Sequence, residues 1–193
     1  MNYTTITFLI FLAAAGLLYD IVPRRIHWTV LLAASLAFYI LTCGKMTVFL
    51  LAATAVIYAA GLALGRLDRS FDSRKKELDR AAKKELKKKT DSKKRAVVLV
   101  SVILMVLMIF CTKYFNFFGD IINSITNAIA HSRPVPTLQI LMPLGISYYT
   151  LMGISYIVDV YRKTAKPEKN PLMLMLFLCY FPHIVQGPFD RYD

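Results

Sequence analysis

MPLGISYYTLMGISYIVDVYR, residues Met142 to Arg162, and FPHIVQGPFDRYD, residues Phe181 to Asp193, are apolar enough to be membrane-buried. Both nevertheless carry Pro, Gly and ionisable groups where a plain anchor would carry Leu. In hydrocarbon an unpaired backbone group costs several kcal/mol, so broken helix persists there only where protein or a water-filled cavity surrounds it. Ionisable side chains at that depth are functional candidates by default. These two runs set the reading of the whole chain as a helical membrane bundle built around a polar site.

The wider composition agrees. Of 193 residues, 56% are hydrophobic, the mean hydropathy is +0.49, and the apolar residues come in blocks. About 20 apolar residues suffice to span a bilayer. The expected fold is all-α and polytopic, a single membrane domain over 1–193 with five or six transmembrane or re-entrant segments. The spans are expected at about 5–22, 28–42, 47–65, 96–116, 138–161 and 171–186, with a basic cytoplasmic loop at 66–95. Pro182 interrupts the last of them. Asp120 to Ser132 has a helical apolar period and is expected as a short amphipathic helix on the far surface.

Charge gives the orientation. Between Arg66 and Arg95 there are fourteen Lys or Arg against six Asp or Glu, +8 of a net charge of +12. With that loop inside, Arg24, Arg25, Arg162, Lys163, Lys166 and Lys169 also fall inside. Only Lys45, Lys113, Arg133 and Arg191 fall outside, a ratio of 20 to 4 that follows the positive-inside rule. The N-terminus is then outside. The Lys-rich segment reads either as a solvated loop or as a helical excursion with acid-first i,i+4 pairs Asp79–Lys83 and Glu85–Lys89. Aromatic residues are not interleaved with its charges, which counts against nucleic acid. Cys43, Cys111 and Cys179 stand alone, so neither a metal site nor a disulfide framework is expected.

In the first run Ser147, Thr150 and Gly153 fall on one side of a helix, and Tyr148 adds another hydroxyl. That face suits interhelical bonding and the lining of a polar passage equally. Asp159 stands three residues before Arg162, the spacing of an ion pair at the cytoplasmic boundary. In the second run Pro182, His183, Gln186, Gly187, Pro188 and Arg191 surround a break in the helix, with Arg191 placed to meet an anion or a freed carbonyl.

Together the two motifs, with KYFNFF at Lys113 to Phe118, resemble the membrane-bound O-acyltransferase family. The likeness is to the bacterial branch that acetylates alginate and other exopolysaccharides, and next to the branch that D-alanylates teichoic acids. The resemblance implies a multi-pass bacterial plasma-membrane enzyme that moves an acyl group onto an extracytoplasmic polysaccharide hydroxyl. It implies an acyl donor, free or carried by a protein on the cytoplasmic side, as substrate and no bound cofactor. The family's reacting His lies in a later half. His27, His131 and His183 match no catalytic motif, so no catalytic residue is expected in this chain, which is expected to be inactive without a C-terminal half or a split partner. The competing reading is a non-enzymatic membrane component, but the inverted repeat of a transporter is missing.

Overall fold

The computed structural model describes residues 6–75, 79–130, 143–182 and Tyr192, and among them the fold is all-α. Six helices follow one another: α1 (Ile6–Ile21), α2 (His27–Cys43), α3 (Thr47–Arg74), α4 (Arg80–Ala130), α5 (Ile146–Arg162) and α6 (Pro171–Cys179). The stretches 24–74 and 80–114 each hold helix long and apolar enough to cross a membrane, and Phe8–Ile21 is a shorter apolar helix.

The core lies where α3, α4 and α5 meet, with α2 and α6 closing one side. Leu50, Ile57 and Leu64 of α3 fall at seven-residue intervals and face Ile146, Tyr149, Ile157 and Val160 of α5, all buried. Gly65 stands where a side chain would run into Pro167, since an added Cβ would lie 2.6 Å from its Cγ. Gly61 likewise faces Tyr156 of α5, so the Gly61–Gly65 pair lets α3 approach both α5 and the chain beyond it closely. Gly16, by contrast, has nothing within 4 Å, so the small-residue run of α1 is not used for close packing among the described residues.

The basic segment does not behave as a loop. Arg, Lys, Glu, Leu and Ala are strong helix formers, so α3 continues through it to Arg74 and α4 starts at Arg80. The two ends are clamped by Asp68, which takes the ammonium of the buried Lys94 and, at 2.9 Å, that of Lys163. The Glu85–Lys89 pair forms at 2.7 Å. Asp79 instead caps α4, its carboxylate accepting the Arg80 amide at 2.7 Å.

At its other end α4 runs on unbroken to Ala130, so no separate surface helix begins at Asp120. Gly119 is the sole breaker there, and a glycine costs only about 1 kcal/mol against Ala in a helix, too little to end one whose next ten residues keep the period. The sixth segment also departs from a simple span. α6 has nine residues, about 13 Å of rise, and ends where Pro182 lies ahead. Tyr192 packs along α6: its ring meets Phe177 at 5.0 Å, and its hydroxyl donates to Glu168, ahead of the helix, at 2.6 Å. Tyr192 thus stands close to Glu168, which precedes α6.

Candidate functional site

The residues singled out from sequence fall in two places. Ser147, Tyr148 and Thr150 lie on α5. Of the second run, Pro182 is exposed, whereas His183, Gln186, Gly187, Pro188 and Arg191 lie outside the described residues, as does His131.

α5 begins on Gly145, whose φ of 69° requires glycine. This turn presents Leu144 to α2. Its carbonyl accepts the Tyr39 hydroxyl at 3.0 Å, and its amide meets the Cys43 sulfur at 3.3 Å. One turn further in, the hydroxyl face turns into the protein. Thr150 is fully buried, and the Thr150 and Tyr149 hydroxyls have no hydrogen-bond partner among the described residues. Ser147 and Tyr148 are half-buried, and Ser155 is exposed. The Thr150 side of α5 therefore packs against α3 and α4, with Ile57 and Met105 against Gly153.

The ion pair expected between Asp159 and Arg162 is not made. α5 ends through backbone instead: the Asp159 carbonyl accepts the Thr164 amide at 2.9 Å, and Lys163 turns left-handed at φ 65°. Among the described residues the cation that closes this rim is Lys163 on Asp68, across the helix pair.

Sequence reasoning missed the device that holds the second run. The Glu168 carboxylate accepts the Tyr192 hydroxyl at 2.6 Å and the amides of Lys169 and Asn170 at 2.7 and 2.8 Å. Its own amide donates to Tyr156 at 2.8 Å, and Tyr58 donates to the Lys169 carbonyl at 2.8 Å. The Tyr192 bond, followed by the backbone amides, holds the Glu168 carboxyl below its ordinary range. Burial first, and then the same carboxylate, push the Tyr192 phenol up. At the inner end of the run the Phe181 amide donates to Ser35 at 3.3 Å, and its ring joins Phe8, Phe11 and Phe38. Both ends of the 182–191 motif are thus tied to helices laid down earlier in the chain. A Glu three residues before an apolar run and a Tyr just past the motif were the available signals, but the pairing spans 24 residues and has no local period.

His27, the remaining imidazole described, packs on Tyr19 with ring centroids 4.1 Å apart and has Nε2 2.8 Å from the Val22 carbonyl. That is a helix-joining contact. No three His, Cys, Asp or Glu side chains converge among the described residues.

An all-α bundle with two helices long and apolar enough to cross a membrane defines a broad class, and the comparisons narrow it. The chain is 32% identical over 176 residues to a probable alginate O-acetylase AlgI of Azotobacter vinelandii, covering 91% of this chain and 31% of that protein. It is 40% identical over 80 residues to the AlgI of Pseudomonas aeruginosa (42% and 15%). It is 33% identical over 94 residues to a teichoic acid D-alanyltransferase of Bacillus subtilis (48% and 21%). No family model and no solved structure matches. The chain is thus homologous to the alginate O-acetylases and to the teichoic acid D-alanyltransferase, relatives of the membrane-bound O-acyltransferase kind, and spans about a third of the length of the first.

Proposed function

We propose that this chain forms part of a membrane-bound O-acyltransferase that moves an acyl group, acetyl first among the candidates, to hydroxyls of an extracytoplasmic cell-envelope polysaccharide. The observation that carries the reading is the 176-residue alignment to an alginate O-acetylase. D-alanyl transfer to a teichoic acid is the second reading, favoured by the 94-residue alignment.

Acyl transfer to a hydroxyl needs a base for its proton and donors for the oxyanion that develops. The described residues hold polar walls and no paired base, so in this reading catalysis belongs to residues beyond those described. The chain contributes the frame: α3, α4 and α5 as spans, and Glu168, Tyr192, Ser35 and the Phe181 cluster as the ties of the 182–191 motif. The chain lies in the bacterial plasma membrane with its Lys-rich end in the cytoplasm and its N-terminus outside. There the basic helices attract an anionic acyl donor or the protein that carries one. The uncharged stretch 96–112 fits this placement: Lys94 and Lys113 are about 28 Å apart along α4, against a hydrocarbon core of about 30 Å.

The test is a chimera in which residues of this chain replace the aligned 176 residues of the Azotobacter vinelandii relative. Retained acetylation of alginate supports the reading. A chimera that inserts stably but transfers nothing counts against it. In parallel, the 193-residue chain alone is expected to be inactive. Transfer by it that is lost on His183→Ala would place catalysis in this chain after all.

A further inference from the structure

At the Lys-rich end, between α3 and the α5–α6 connection, lies a groove of about 390 Å³. Its wall is layered. Leu62 and Val160 line it on the apolar side, Leu62 about two turns before Arg69 on α3 and Val160 just before Lys163 at the end of α5, and Pro167 closes it beyond Gly65. The rim adds the exposed Lys166 and Lys169.

The charge in this groove is not self-compensated. Its two carboxylates are already matched by cations outside the lining, Asp68 by Lys94 and Asp72 by Lys75 at 2.6 Å. Arg69 spends only its Nε locally, on the Gly65 carbonyl at 3.2 Å, so the terminal amino groups of its guanidinium remain for a ligand. Lys166 and Lys169 meet no carboxylate within ion-pair distance among the described residues. Lys163 is the one non-glycine residue with positive φ among those described. A left-handed residue ending a helix is most often Gly, so it is the lysine side chain, not backbone ease, that suits this position. It adds a fourth cation to the lining, fixed on Asp68.

Four cations above an apolar floor at the end of a membrane-length helix match one chemistry, a phosphate carried on an apolar tail. Resting on the membrane reading above, we propose that this groove is a phosphate-recognition site for an anionic phospholipid, Arg69, Lys166 and Lys169 meeting the headgroup while the partly exposed Leu62 meets the first methylenes. A guanidinium with two free amino groups gives the forked geometry that a phosphodiester accepts.

The test uses the 193-residue chain in nanodiscs of phosphatidylcholine alone or with an equal part of phosphatidylglycerol, followed by release into detergent and native mass spectrometry of the lipid retained. The expected result is one retained phosphatidylglycerol. Its retention falls roughly thirtyfold in the Lys166→Ala/Lys169→Ala pair, at about a kcal/mol per charge. The control pair Lys84→Ala/Lys88→Ala removes the same charge from α4 and is expected to change retention less than about twofold. Equal losses in both pairs would mean diffuse attraction and would overturn the site, as would equal retention of the two lipids. Displacement of the adduct by glycerol phosphate as readily as by lipid would overturn the lipid-borne ligand in favour of a soluble phosphate compound. A chain that refuses the bilayer overturns this proposal together with the membrane reading, whereas one that inserts and ignores phosphatidylglycerol overturns the site alone.

Discussion

At the Lys-rich end the bundle closes through charge and hydrogen bonds supplied from four places in the chain: Asp68 binds Lys94 and Lys163, and Glu168 binds Tyr192. At the opposite end the same helices meet through Tyr39 on the Leu144 carbonyl, and the buried hydroxyls of Tyr149 and Thr150 find no partner among the described residues. Beyond them α4 exposes Tyr114, Phe117, Phe118, Ile121, Ile122 and Ile125. The first end has its buried cation and its carboxylates matched from within, and leaves rim cations such as Lys166 and Lys169 unpaired with carboxylates among the described residues. The second carries those buried hydroxyls, unpaired among the described residues, and exposed apolar surface together. If both ends contributed equally to stability, mutations at matched depth would have matched effects, and they are expected not to.

The largest effect is expected at Asp68. Lys94 is 4% exposed, and a buried cation stripped of its partner costs about 3–5 kcal/mol, whereas an apolar replacement of both partners is often neutral. Asp68→Asn is therefore expected to lower the unfolding temperature sharply in detergent, and Asp68→Leu with Lys94→Met to recover most of the loss. Failure of the double variant to recover would show that geometry, not charge burial, controls this end.

Next is Gly65→Ala. The added methyl would gain up to about 1 kcal/mol in helix propensity, but it meets the Pro167 ring at 2.6 Å. A proline ring has no rotamer by which to move aside, so overpacking of about 1–3 kcal/mol is expected to win. Gly16→Ala, with open space around it, is expected to stabilise instead, and thermal scans of the pair give the sign directly.

Glu168→Gln is expected to cost less, about 1 kcal/mol, because the site is partly solvated and screening trims a charged hydrogen bond. Its effect is local: faster hydrogen exchange at Phe181 and Tyr192 with little change elsewhere. The pH sign follows from the lowered carboxyl. The stabilisation is complete above the unfolded pKa of about 4.3 and is lost as pH falls through the lower folded value. The wild-type tether should therefore release in acid, and the Gln variant should show no such step.

The helices and their order were legible because apolar blocks and charge runs are local signals, and so was the paired motif with its relatives. The ends of the elements were not. The Lys-rich stretch read either as a solvated loop or as a helical excursion; its residues favour helix, and Asp68 reaches across 26 positions to Lys94. Asp159 and Arg162 had the spacing of a pair, yet Lys163, one residue on, found the better partner across the helices. Glu168 and Tyr192 stood at suggestive places but carried no local period that pairs them across 24 positions. Tertiary partners chosen over long separations leave no period to read, and both latches of this molecule are of that kind.

The smallest effect, and the one that sharpens the contrast most, is expected at Thr150. Val has nearly the same shape, so Thr150→Val removes only the hydroxyl. Where a buried hydroxyl is bonded, its loss costs about 1 kcal/mol; where it is unpaired, the change removes a desolvation penalty and is neutral or stabilising by a similar amount. With no partner for Thr150 Oγ1 among the described residues, Thr150→Val in the 193-residue chain is expected to hold or raise the unfolding temperature, and Tyr149→Phe likewise. The same substitution in a chimera carrying the rest of the relative's length reads the other side of the comparison. If the hydroxyls meet partners there, Thr150→Val becomes destabilising in the chimera while remaining harmless in the chain alone. Equal, harmless outcomes in both would reduce these hydroxyls to packing and remove the polar half of the contrast.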